Sequence, residues 1–149
     1  MATLKWEGLD VFLAEMKALE NDASKICKMA LYDGAKVLHM ELQSEISGLK
    51  ELNAKQRAGL HKGCGVAKFW EERGNTVTRV GFDGYNEIKT KRWPNGQPNV
   101  MVARSLIRGT SWLPANRFTS RAVKKAREKA IEAMRRKVED EINLRMKRR

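Results

Sequence analysis

GFDGYN (81–86), PNGQPNVMVARSLIRGTS (94–111) and RFTSRAVKKAREKAIEAM (117–134) follow one another in the second half of the chain, and their order decides the fold. Asp83-Gly84 and Asn95-Gly96 are turn pairs: Gly takes positive φ without a Cβ penalty, and Asn or Asp bonds nearby backbone. Asn99 is placed to cap a short helix, Val100 to Arg108, which Gly109 ends. Pro114 breaks the chain again. From Thr119 or Ser120 to about 146, Val123, Ala126, Ala130, Ile131, Met134, Val138 and Ile142 recur at threes and fours. This spacing predicts a long amphipathic helix, with the final RMKRR frayed.

Upstream of this block the periodicity changes twice. Leu9, Phe12, Leu13, Met16 and Leu19 predict a first helix over about 8–20, and Asn21-Asp22 reads as a break that caps a second over about 22–47. Gly34, inside that second helix, implies close packing of another helix, and Gly48 stops it. A short helix over 54–61 is ended by the glycines at 63 and 65. Residues 66–82 then alternate apolar and polar on either side of Gly74-Asn75, which reads as a β-hairpin. Val77 and Val80 do not alternate cleanly, so a bulge or twist fits the register. Residues 83–98 form a long exposed loop, a length that marks function or mobility. The expectation is an α+β fold in one domain, 1–149. It has two N-terminal helices, a short antiparallel β-sheet from the hairpin at about 66–82, a long loop, a short helix and a long C-terminal helix.

The composition suits a folded chain, with 42% hydrophobic and 32% charged residues. Thirty Lys+Arg against 18 Asp+Glu give +12, which implies an anionic neighbour or a solvated basic surface. Of this excess, +8 falls in the last 33 residues, from Arg117 onward, where thirteen basic residues face five acids. Cys27 and Cys64 are too few for a disulfide framework and are read as reduced, structural thiols. The start, MATLKWEGLDVF, puts Glu7 and Asp10 where a signal peptide needs an apolar run. No apolar stretch reaches the roughly 18 residues of a membrane span, so a cytoplasmic protein is expected.

Catalytic chemistry finds no purchase in these residues. The two histidines, His39 and His61, sit on helices away from any nucleophile elbow. Cys64 with His61 is the one tempting pair, and a glycine-flanked structural thiol is the simpler reading. Asp83 and Glu87 share a turn-rich loop with nothing apolar to raise a pKa. No metal-ligand spacing and no phosphate loop appear, so no cofactor is expected. The basic helix has two readings: nonspecific neutralisation of phosphates, or a solvated face with interspersed acids. Trp6, Trp93 and Trp112 fall outside the periodic stripes, where they either anchor an interface or fold back onto the core.

Several of these pieces together resemble the small neck or tail-completion proteins of long-tailed double-stranded DNA phages and prophages. They are Val80-Gly81-Phe82-Asp83-Gly84-Tyr85-Asn86, Pro98-Asn99-Val100 leading into Val102-Ala103-Arg104, the Gly109-Thr110-Ser111 stop, and the helix from Ala122 to Ile142. Gly8-Leu9-Asp10 before an amphipathic helix fits as well. Two places depart from the family pattern: Arg108 stands where an acidic or aromatic residue is usual, and Leu113-Pro114-Ala115-Asn116-Arg117-Phe118 is a reduced form of a Pro-rich segment.

The resemblance implies a non-enzymatic α+β protein joining the head connector to the tail as a subunit of a homo-oligomeric ring. Its partners would be head-connector or head-closure proteins and tail-end proteins, with DNA only in nonspecific proximity and no membrane. Its place would be the host cytoplasm during assembly and then the virion neck or tail end. Trp93, Arg104, Arg108, Thr110, Trp112 and Phe118 are the candidate contacts to subunits or partners. Lys124, Lys125, Arg127, Arg135 and Arg136 form the candidate basic surface toward DNA or a partner. The alternative is a nonspecific nucleic-acid-binding protein of a mobile element.

Overall fold

The computed structural model describes residues 9–148, with side-chain surroundings from residue 20 onward. Trp6 and the side chains of Leu9, Phe12, Leu13, Met16 and Leu19 lie outside the described residues. Helix α1 runs over Leu9–Ser47, α2 over Ala54–Gly63, α3 over Asn99–Arg108 and α4 over Phe118–Lys147. Between α2 and α3 come four three-residue strands: β1 Cys64–Val66, β2 Trp70–Glu72, β3 Asn75–Val77 and β4 Val80–Phe82. The fold is α+β with a long C-terminal helix.

The expected break at Asn21-Asp22 does not occur, and two helices become one of 39 residues. Asn and Asp cost only a few tenths of a kcal/mol in a helix interior. Breaking there would forfeit a turn of backbone hydrogen bonds. Asn21 points to solvent, Asp22 pairs with Arg145 of α4 at 3.4 Å, and Ile26 and Ala30 continue the buried stripe.

Helix α4 lies antiparallel along α1. The register is written in ion pairs: Arg121 and Lys125 reach Glu45 at 3.1 and 2.6 Å, Lys129 reaches Glu41 at 2.8 Å, and Arg145 reaches Asp22. Gly34 sits at the middle of this seam, as its position in the sequence implied. A Cβ there would lie 2.9 Å from both Cγ and Sδ of Met134. The buried face of α4 is offset from the expected stripe. Phe118, Ala122 and Ala126 are buried at spacings of four, whereas Val123, Ile131 and Ile142 remain exposed. Alanines at the contact let the two backbones approach closely, which leaves the larger side chains outside it. Arg145 also holds Glu141 at 2.6 Å, and the helix extends to Lys147.

The core closes at the far end of this pair. Leu42, Ile46, Leu49 and Leu52 meet Leu60 of α2, Val102, Ala103 and Leu106 of α3, and Phe118 and Ala122 of α4. Asn53 starts α2 with a reciprocal cap, its side chain accepting from Gln56 N at 2.9 Å while its own N–H donates to Gln56 Oε1. Helix α2 continues to Gly63, two residues past the expected end, and β1 begins at Cys64 instead of residue 66.

The hairpin exists, and it carries a register shift. Cys64 pairs with Phe82 and Val66 with Val80, but Trp70 pairs with Val77 and Glu72 with Asn75. Three residues, 67–69, therefore oppose two, 78–79, and this is the bulge that the broken alternation signalled. Arg73 and Gly74 form the tip with φ of 52° and 81°, the two left-handed residues that a tight hairpin turn of matching twist requires.

Residues 83–98 form no helix or strand beyond one bridge between Tyr85 and Pro98, and most of the segment is exposed. It is nevertheless tied down. Buried Asn86 exchanges bonds with Gln97 through both backbone and side chain and accepts from Ile88 N at 3.0 Å. Asn99 does not cap α3. Pro98 occupies that position, and the Asn99 amide turns inward to donate to the Asp83 carbonyl at 2.8 Å. Gly109, at φ 77°, ends the helix as expected.

The ion pairs between α1 and α4, and those within α4, make stability depend on acid. The Glu45 carboxyl is held below its ordinary value of 4.5, first by the hydrogen bond from Lys125 and then by Arg121. Glu141 is held below the same value by Arg145 and then Lys137. A depressed folded pKa contributes stability that is complete above the unfolded value and lost as pH falls through the folded one. Thermal unfolding followed by circular dichroism should thus show a midpoint that holds near neutrality and drops once pH passes below about 4.5. Glu45→Gln should shrink that acid-dependent drop.

Candidate interaction surface

Thr110 and Trp112 are brought together in one turn between α3 and α4. Thr110 N donates to Leu113 O at 2.8 Å, and Leu113 N returns a bond to Thr110 O at 3.3 Å. The Thr110 hydroxyl accepts from the backbone N–H groups of Trp112 and Leu113 at 3.3 and 3.1 Å. Leu113 faces the core while Pro114 and Ala115 carry the chain back. Asn116 then braces the turn from beneath: its N–H donates to Leu106 O at 2.8 Å and its amide to Glu51 Oε1 at 2.8 Å. It also accepts from Arg121 at 2.8 Å. The outcome is a built turn that holds the Trp112 indole 92% exposed. A large apolar ring left in water on a braced turn does nothing for the monomer's own stability.

Arg104 and Arg108 are exposed on the outer side of α3. They line a shallow depression with Phe82, Val100, Ala103 and Ile107, in which Val100 is itself exposed. Trp93 is half-buried. Its loop is closed by reciprocal bonds with Thr90, and the Arg92 guanidinium stacks 5.5 Å above its ring. Of the two readings for the loop tryptophans, Trp112 therefore takes the exposed one and Trp93 is partly folded back.

Phe118 does not belong to this surface. It is fully buried, with its ring centroid 6.1 Å from that of Phe82. As the first residue of α4 it fills the end of the core where α1, α3 and the hairpin base meet, so it can touch no partner.

The basic residues of α4 separate into sets that the sequence does not distinguish. Lys125 is committed to Glu45, in company with Arg121, on the side facing α1. Arg135 and Arg136, three and four residues on, share Glu132 at 3.8 and 3.3 Å. Glu128 and Lys124, four residues apart on the same helix, do not pair. Lys124 and Arg127 thus have no carboxylate within 4.0 Å among the described residues. Which cations are neutralised depends on carboxylates some eighty positions away (Lys125 and Glu45), and helix periodicity holds no signal of that.

Burial pushes the Cys64 thiol up to about 11. This is the opposite of what a nucleophile needs. His39 Nε2 lies 2.9 Å from the Cys64 carbonyl oxygen, and His61 is exposed. Cys27 is free and exposed. Among the described residues no group of three or more His, Cys, Asp or Glu could hold a metal. Among them, too, no helix is long and apolar enough to cross a membrane.

Comparison with known proteins returned no match: no protein-family model, no characterised protein and no solved structure aligns with the chain.

Proposed function

We propose that this chain is a structural assembly protein of a long-tailed phage particle, a ring subunit that joins the head connector to the tail. The observation that carries this reading is Trp112, a nearly fully exposed indole on a turn braced by Thr110 and Asn116. Interfaces concentrate their energy in such aromatic anchors, and a preordered turn lowers the entropy cost of docking. Arg104, Arg108 and Val100 offer a second mixed patch of the kind that surrounds an anchor. The motif resemblance from Val80 to Ile142 supplies the particle context, with assembly in the host cytoplasm and a final position at the neck or tail end. Head-connector or head-closure proteins and tail-end proteins are the proposed partners.

Nonspecific nucleic-acid binding is supported less well. Three cations of α4, at 121, 125 and 129, are occupied by α1 carboxylates, so the helix does not present a continuous phosphate-binding face.

Trp112→Ala tests the proposal. The variant should keep the wild-type thermal midpoint, because the ring is exposed, while losing about 2 kcal/mol or more of interface energy. In a complementation assay, heads and tails should then accumulate unjoined. Normal yields of joined particles with this variant would sink the interface role. Recovery of the protein with DNA alone, released by salt, would favour the other class.

A further inference from the structure

Leu31 and Leu38 of α1, Val80 of β4, and Val123, Ile131 and Met134 of α4 line an open apolar groove of 320 Å3. Val123 and Ile131 are 43% and 48% exposed, so the groove is not filled by its own walls. Its rim is basic. Arg127 borders the groove, Lys124 and Lys125 stand on the adjoining face that shares Val123 and Arg127, and among the described residues Glu128 is the one carboxylate on that face. Neither Lys124 nor Arg127 has an ion-pair partner among the described residues.

We propose that this groove seats the amino-terminal stretch of α1, Leu9–Glu20, from a second copy of the chain. Charge complementarity argues for it. In a protein of net +12, LDVFLAEMKALE carries three carboxylates, Asp10, Glu15 and Glu20, against the single Lys17. Its apolar residues recur at 9, 12, 13, 16 and 19, the spacing of a helix that lays one face into a groove. The lengths agree as well. Val123 to Met134 along α4 and Leu9 to Glu20 along α1 each span about 16 Å at 1.5 Å per residue.

The continuity of α1 decides that the contact is between copies. Residue 14 and residue 34 lie about 30 Å apart along the same rod. The amino-terminal stretch therefore cannot fold back into the groove that its own helix lines. A donor stretch at one end of α1 and an acceptor groove further along make the contact head-to-tail, and head-to-tail contacts close rings when the rotation permits. The inference deepens the ring reading above and rests on it for its biological setting.

The test uses the full chain, with Phe12 replaced by the photo-cross-linker benzoylphenylalanine and isotopically labelled copies mixed with unlabelled ones. After irradiation at the highest soluble concentration, mass spectrometry separates adducts between copies from those within one. Adducts should fall on residues 31–38 or 123–134 of the other copy. Lys124→Glu combined with Arg127→Glu in the acceptor should weaken association about tenfold, since two charge pairs turn from attraction to repulsion. A donor carrying Asp10→Lys and Glu15→Lys should restore it. Circular dichroism should show all these variants folded. Failure to form adducts between copies would overturn the proposal. Adducts onto residues 9–22 of the other copy would also overturn it, in favour of a helix-on-helix dimer, and so would adducts indifferent to charge reversal. Because no particle is involved, failure here leaves the Trp112 joining assay to judge the neck reading separately.

Discussion

Phe118→Ala should unfold the protein or lower its stability by about 3–5 kcal/mol, a large part of the roughly 5–15 kcal/mol that holds a domain of this size. The ring is fully buried against Phe82, within the cluster that joins Ile46, Leu49, Leu60 and Leu106. Its neighbours come from α1, α2, α3 and the hairpin base, so they cannot collapse together into the space a methyl group would leave. Urea titration should show a much lower midpoint, and Phe118→Leu should recover part of it by refilling most of the volume. The turn before Phe118 displays Trp112, so loss of this wedge should also loosen the exposed anchor. Cooperative unfolding at the wild-type midpoint in Phe118→Ala would mean that the ring is not the keystone its burial indicates.

Gly63→Ala should be nearly as damaging, for the opposite reason. At this last residue of α2 there is no room for a Cβ, which would overlap the backbone oxygen of Asp83 and the Asn99 amide. The obstacle is backbone and a buried amide, so neither can swing away as a surface chain end would. Asn99 Nδ2 is bonded to that same carbonyl at 2.8 Å, and Asn99 Oδ1 is buried without a hydrogen-bond partner. Adding one carbon therefore separates α2 from the 83–98 loop and leaves the Asn99 amide unpaired at both ends. The expected cost is about 3 kcal/mol or more, at the upper end for overpacking with a lost buried hydrogen bond added. Gly65→Ala, two residues on, is the internal control. Nothing lies within 4 Å of a Cβ built there, and a change within about 1 kcal/mol of wild type is expected. Comparable losses at both positions would show that strand geometry, not the Asp83–Asn99 contact, sets the cost.

Much of this architecture was legible in local pattern. Gly109 ends α3 because the chain leaves the helix at positive φ, and α4 begins within a residue or two of the expected position. Gly34 marked the close helix approach that Met134 makes. The broken alternation of Val77 and Val80 marked the hairpin's shift of register. What escaped was what depends on partners far away in the chain. Asn21-Asp22 reads as a boundary by propensity, and its small local penalty is overridden once Asp22 has Arg145 opposite. Phe118 stood just before the expected start of α4 and among the candidate contacts, although its spacing of four to Ala122 and Ala126 was an available sign of burial. At the candidate surface the sequence supplied the residue types. Only the fold separates Trp112 from Trp93 by exposure, and Lys124 and Arg127 from Lys125 by pairing.

The hairpin's shifted register has a further effect on how the molecule breathes. Beyond residues 67–69 the arm is held by one ladder of three residue pairs and by the Arg79 guanidinium stacked 4.9 Å over Trp70. The base, by contrast, is locked beside α1 through β1 and packed on the core through Phe82. Strands β2 and β3 contact each other far more than they contact the helices, so opening the tip disturbs the helices little. Local unfolding free energy follows buried contact, so it should rise steeply from the Arg73-Gly74 tip to the Cys64–Phe82 base. The bulge should therefore act as a fuse, with the arm melting and re-forming while the helical body stays folded.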